Sequence, residues 1–135
     1  MSNGQLLSFF DTSVPAGFPS PADDFLEEKL DLNKFLVKNP AATFFVRVRG
    51  SSMIQAGIFD RDILIVDRSL EVQNNSIIVA VIDGEFTVKR LQKSGDQILL
   101  VAENRNYKPI KITKEMDFQV WGVVRGVIRD LRIKI

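Results

Sequence analysis

The sequence predicts a mainly β domain, a small β-rich sandwich or partly closed barrel, with a flexible N-terminal arm and one or two short helices. Three observations carry that expectation. After residue 42 come six or seven short runs rich in Val, Ile and Phe, each of strand length and bounded by turn-forming residues. Asp83-Gly84 stands between the apolar run Ile77–Ile82 and the run Glu85–Leu91, and this dipeptide is favoured in two-residue hairpin turns. Strands do not alternate with long amphipathic helices, which counts against βαβ layering.

Taken in order, residues 1–19 contain Gly4, Pro15, Gly17 and Pro19 and sustain neither a helical nor a strand period. They read as an arm, with residues 20–135 as the folded domain. Ser20-Pro21-Ala22-Asp23 predicts a helix start: serine caps, proline suits the first helical position, and an acid there meets the positive end of the dipole. Phe25, Leu26, Lys29 and Leu30 would share one side of that helix. Leu32, Phe35 and Leu36 predict a further turn or two, finished before Pro40, because a proline disfavours helix in the residue preceding it. Thr43–Arg49 alternates, with Phe44, Val46 and Val48 on one face. Asp62–Val66, Ile77–Ile82, Glu85–Leu91, Gln97–Ala102 and Val120–Ile128 read as further strands, and Leu131–Ile135 as a candidate for a last one. Lys93–Asp96 is a turn.

Composition narrows the chemistry mainly by what it lacks. The chain has no cysteine and no histidine. Disulfides, cysteine nucleophiles, Ser-His-Asp triads and zinc sites built on thiolate or imidazole are therefore excluded. Proton transfer is left to Asp, Glu, Lys, Tyr, a terminus or water. No P-loop or EF-hand spacing is present, and no cofactor or metal is expected. The N-terminus has no basic region, and no apolar run reaches the roughly 18 residues of a membrane span, so a cytoplasmic protein is expected. The net charge of +1 conceals an asymmetry: residues 1–31 hold six acids against Lys29 alone. The basic ending, Arg125, Arg129, Arg132 and Lys134, reads as solvated edge charge. It forms no concentrated stripe, and little direct DNA binding is expected.

Without histidine, a serine is most simply activated by a neutral lysine. Burial disfavours the charged form of lysine and lowers its pKa from about 10.4. Such a pair needs a serine on a tight turn with free backbone N–H groups and a lysine on a largely buried strand. Gly50-Ser51-Ser52-Met53 and Lys89, within Phe86-Thr87-Val88-Lys89-Arg90-Leu91, meet that description. Alternation puts Glu85, Thr87, Lys89 and Leu91 on one face, without saying which face is buried. On pattern alone, Ser52 is a turn serine, Lys89 a solvated strand lysine and Thr87 an ordinary strand threonine.

Gly50-Ser51-Ser52-Met53-Ile54, then Asp60-Arg61-Asp62-Ile63-Leu64-Ile65-Val66-Asp67, then Asp83-Gly84-Glu85-Phe86-Thr87-Val88-Lys89-Arg90-Leu91 resemble, in order and spacing, the LexA/UmuD family of self-cleaving Ser/Lys peptidases. Val14-Pro15-Ala16-Gly17-Phe18-Pro19 is similar to that family's cleavage segment. Glu103–Ile110 and Trp121-Gly122-Val123-Val124 continue the likeness, which spans roughly residues 14–128. The resemblance implies a LexA- and signal-peptidase-like β fold, Ser52 as nucleophile, Lys89 as general base, Ala16–Gly17 as the scissile bond, and Ser51 and Ser52 as backbone oxyanion donors. Two residues depart from the pattern. Ser51 stands where relatives often carry Met or Asp, and Arg61 where they commonly carry glycine, so that turn is expected to be shaped differently.

Only 16 residues precede the implied cut, too few for the helix-turn-helix domain of repressors in the family. The UmuD-like branch is therefore the expected one. It implies a homodimer, cleavage stimulated by a RecA–ssDNA filament, and a UmuC-like Y-family polymerase as partner. The rival expectations are a binding module with an inactive dyad and the C-terminal domain of a LexA-like or phage repressor.

Overall fold

The computed structural model describes residues 6–10 and 27–132. The chain divides into two compact units, residues 1–38 and 39–135, and each is described by itself.

In the first unit, β1 (Leu6–Phe10) pairs antiparallel with β2 (Glu27–Asp31), from Leu6↔Asp31 to Phe10↔Glu27. Residues 27–31 were expected to lie in a helix, and residues 6–10 in an arm without regular structure. Cross-strand pairing overrides the local pattern here, because a short helix alone is marginal in water while a strand partner satisfies the backbone groups directly. The helix expected over Leu32–Leu36 is present as α1. Asp31 caps it, accepting from the N–H groups of Asn33 (3.0 Å) and Lys34 (3.4 Å). The start at Ser20-Pro21 lies outside the described residues.

The second unit is one antiparallel sheet in the order β3-β4-β9-β5-β6-β7-β8. Its strands are β3 (Thr43–Arg47), β4 (Ile63–Asp67), β5 (Ile77–Ile82), β6 (Glu85–Ser94), β7 (Gln97–Val101), β8 (Ile110–Lys111) and β9 (Phe118–Ile128). The fold is mainly β, as expected, and the sheet does not close into a barrel. Asp83 (φ +49) and Gly84 (φ +85) form the tight turn between β5 and β6, two positive φ angles that match the twist of a hairpin. The short β8 had no sequence signal, since two residues are too few to show a period. Leu131 and Arg132 lie in a turn, and the rest of the candidate last strand, residues 133–135, lies outside the described residues.

Apolar side chains form two clusters. Val48, Met53, Ile58, Leu64, Val66 and Val79 are buried in the first, with Phe44 and Val46 packed against it as the alternation of β3 predicts. Ile78, Ala80, Leu91, Leu100 and Val123 make the second. Strand β5 thus sends successive residues to both clusters, which explains why it reads as a continuous apolar run. Asp67, fully buried at the end of β4, accepts from Ser69 N–H (2.8 Å), Ser69 O–H (2.6 Å) and Asn39 Nδ2 (3.1 Å). The Ser69 hydroxyl bond, more than any other contact, holds its carboxyl below the usual range against the opposing effect of burial.

Gly122, on β9 where it pairs with Val79 of β5, has no room for a side chain. A Cβ there would lie 2.6 Å from Val66 Cγ1 and 3.3 Å from the Asp67 carbonyl oxygen. Gly122→Ala should cost roughly 1–3 kcal/mol, the range for overpacking, and urea unfolding measures it. A variant as stable as the parent would show that β9 can shift away from β4 freely.

Candidate active site

The turn that carries Ser52 grows out of β3. Gly50 has φ +95 with open space where a Cβ would stand, so it is the backbone angle that calls for glycine. Its N–H donates to Asp60 Oδ1 at 2.7 Å. The Ser51 carbonyl accepts from Asn104 Nδ2 at 2.8 Å. Met53 is the anchor: its side chain is 2% exposed, and its sulfur accepts the Glu103 N–H at 3.4 Å. A short 3₁₀ turn, Ile54–Ala56, follows, and Gln55 N–H donates to the Glu103 carbonyl at 2.8 Å. Ser52 is left half-buried between these ties. Among the described residues neither the Ser51 nor the Ser52 backbone N–H has a protein acceptor, the condition an oxyanion hole requires.

Lys89 enters from β6, half-buried. Its Nζ lies 3.1 Å from Ser52 Oγ, 2.7 Å from Thr87 Oγ1 and 3.1 Å from the Val88 carbonyl oxygen. Thr87 and Lys89 share a face, as alternation requires, and Thr87 touches the amine directly. Among the described residues no carboxylate pairs with Lys89, so nothing offsets the loss of water, and burial pushes its pKa below the ordinary 10.5. The cleft around the pair has a volume of about 220 Å³ and is walled by Val46, Val48, Met53, Val79, Phe86 and Val88. Phe86 stacks edge-on against Trp121, with ring centroids 5.0 Å apart.

The two halves of the site are mounted on one frame. Arg90, the neighbour of Lys89, pairs with the Glu103 carboxylate at 2.5 Å and donates to the Asn75 carbonyl at 2.6 Å. Glu103 in turn holds the serine turn through Met53 and Gln55. Sequence reasoning missed Glu103, Asn104, Arg90 and Phe86 as parts of the site. The signal for them was the likeness of the Asp83–Leu91 and Glu103–Ile110 segments to the family, which gave none of the four a role. Arg61, expected to reshape its turn, takes the left-handed conformation itself at φ +74, held by its N–H bond to the Val48 carbonyl at 2.8 Å. Ala16 and Gly17 lie outside the described residues.

Comparison with known families matches residues 8–125 to the family described as Peptidase S24-like. The chain belongs to that family. Among curated relatives it is similar to Protein ImpA of Escherichia coli, 58% identical over 123 residues, covering 87% of this chain and 79% of the relative. It is 45% identical to Protein SamA of Salmonella typhimurium, covering 91% and 85%. It is 43% identical to the LexA repressor of Dechloromonas aromatica, covering 91% of this chain but 61% of the repressor. Membership of the S24-like family makes a serine peptidase the general chemistry of this fold. Among the described residues no helix is long and apolar enough to cross a membrane.

Proposed function

We propose that this chain is a UmuD-like protein of the SOS response that cleaves itself at Ala16–Gly17 through a Ser52/Lys89 dyad. The observation that carries the reading is the 3.1 Å approach of Lys89 Nζ to Ser52 Oγ, in a site where, among the described residues, no carboxylate pairs with the lysine. A neutral amine has two N–H groups and one lone pair. Thr87 Oγ1 and the Val88 carbonyl take the two N–H groups, which leaves the lone pair for the Ser52 hydroxyl proton. Ser52 Oγ then attacks the Ala16 carbonyl carbon, and the oxyanion is held by the backbone N–H groups of Ser51 and Ser52. Collapse breaks the Ala16–Gly17 bond, and the Lys89 ammonium returns its proton to the Gly17 amine. Water, activated by the same lysine, releases residues 1–16.

In this reading the shortened form joins a UmuC-like Y-family polymerase for translesion synthesis, as a cytoplasmic homodimer whose cleavage a RecA–ssDNA filament stimulates; what supports the UmuD-like branch is the likeness to Protein ImpA and Protein SamA. The test is intact mass against time for the purified chain and for Ser52→Ala, at neutral pH and at about pH 10, near the ordinary value for lysine. The expected product begins at Gly17 and forms only when Ser52 is present. A chain that stays whole at both pH values, even with an activated RecA filament, would leave a binding module with an inactive dyad.

A further inference from the structure

We propose that Arg129 is a positioning residue for Ser52, an inference that rests on the Ser52/Lys89 reading above. Arg129 follows directly after β9 and was expected to be a solvated edge charge. Instead its guanidinium reaches back to the loop that carries the serine. Nε and Nη2 donate to the two carboxylate oxygens of Asp62 at 2.6 and 2.7 Å, and Nη2 also donates to the Gly57 carbonyl at 2.7 Å. The Phe59 ring lies 4.4 Å from the guanidinium carbon. One side chain thereby grips three points on the return limb of the Ser52 loop.

That limb is coupled to the serine turn by bonds already tight. Gly57 N–H donates to the Ile54 carbonyl at 3.0 Å and Ile58 N–H to the Met53 carbonyl at 3.2 Å. Asp62 is 1% exposed; its carboxylate accepts from Phe59 N–H at 2.8 Å and its carbonyl from Val48 N–H at 2.8 Å. Asp60 of the same limb holds Gly50 N–H. The loop is therefore clamped at its neck by Asp62 and along its return by Arg129, with Ser52 on the opposite limb. Lys89 approaches from β6 and touches none of these groups. Arg129 thus sets where Ser52 Oγ sits relative to Lys89 without setting the protonation of the lysine.

The two effects separate in a pH profile. The experiment follows the rate at which an organofluorophosphonate, a serine-reactive probe that needs no arm, labels Ser52 in the full chain as pH is raised. The unaltered protein should show a rise to a plateau as Lys89 deprotonates. In Arg129→Gln the plateau should fall about 10- to 100-fold, the loss that a misplacement near 1 Å produces, while the midpoint stays where it was. Asp62→Asn with Arg129→Gln removes the buried carboxylate that Arg129→Gln alone would leave without its cation, guarding against simple unfolding, and should show the same lowered plateau. Unchanged plateaus in both variants overturn the proposal. So does a midpoint that climbs toward the free-lysine value, since that marks general opening of the cleft. An unaltered protein that takes up no label sinks the dyad reading itself.

Discussion

Replacing Lys89 with alanine should leave the full-length chain intact at every pH at which the unaltered protein cleaves itself. Removing a positioned general base costs roughly 10²–10⁴-fold in rate, and the half-buried Nζ is the only amine in hydrogen-bond reach of Ser52 Oγ among the described residues. The pH dependence has a definite sign. Burial lowers the pKa of Lys89 from 10.5, and the neutral amine is the active form. Cleavage should therefore accelerate as pH rises, then level off above the lowered pKa, at a lower pH than a solvated lysine would allow. Lys89→Arg should be as inert as Lys89→Ala, because a guanidinium keeps its proton at any accessible pH. Intact mass against time across a pH series reads the unaltered protein and both variants. Comparable cleavage by Lys89→Ala would remove the lysine from the mechanism, and a rate that falls with rising pH would reverse its role.

The second large effect is expected at Met53, where the nucleophile turn and the core are the same structure. Its side chain is buried among Val48, Ile58, Leu64, Val66 and Val79. Met53→Ala should destabilise the fold by roughly 2–5 kcal/mol, the range for truncating a buried side chain of this size. Cleavage should slow as well, because the residue next to Ser52 loses both its packing and its sulfur contact with Glu103. Met53→Leu keeps the volume and should cost less than about 1.5 kcal/mol. Urea unfolding in a Ser52→Ala background separates stability from self-cleavage. An alanine variant that loses almost nothing would mean the turn stands without its anchor.

Part of this molecule was legible in its residues. The alternation of Phe44, Val46 and Val48 marked the inward face of β3 and of the residue just after it, and Asp83-Gly84 marked a hairpin that has the two positive φ angles such a turn needs. The absence of histidine and cysteine left a lysine as the natural partner for a serine. Ser52 and Lys89 themselves stood out through ordered likeness to a family, since neither residue type in its local pattern distinguishes a nucleophile or a base from a solvated side chain.

What the sequence by itself determined was local: strand periods, turn chemistry and the menu of available catalytic groups, all of which follow from neighbours along the chain. Tertiary structure decided the contacts between residues far apart. Glu27–Asp31 became a strand because β1 lies beside it, whatever the local helix pattern. Arg129, read as edge charge, closes on Asp62 across 67 residues, and Lys89 meets Ser52 across 37. A side chain's burial, and with it the shift that makes a lysine a usable base, is set by whichever distant strands pack around it. No local period encodes that.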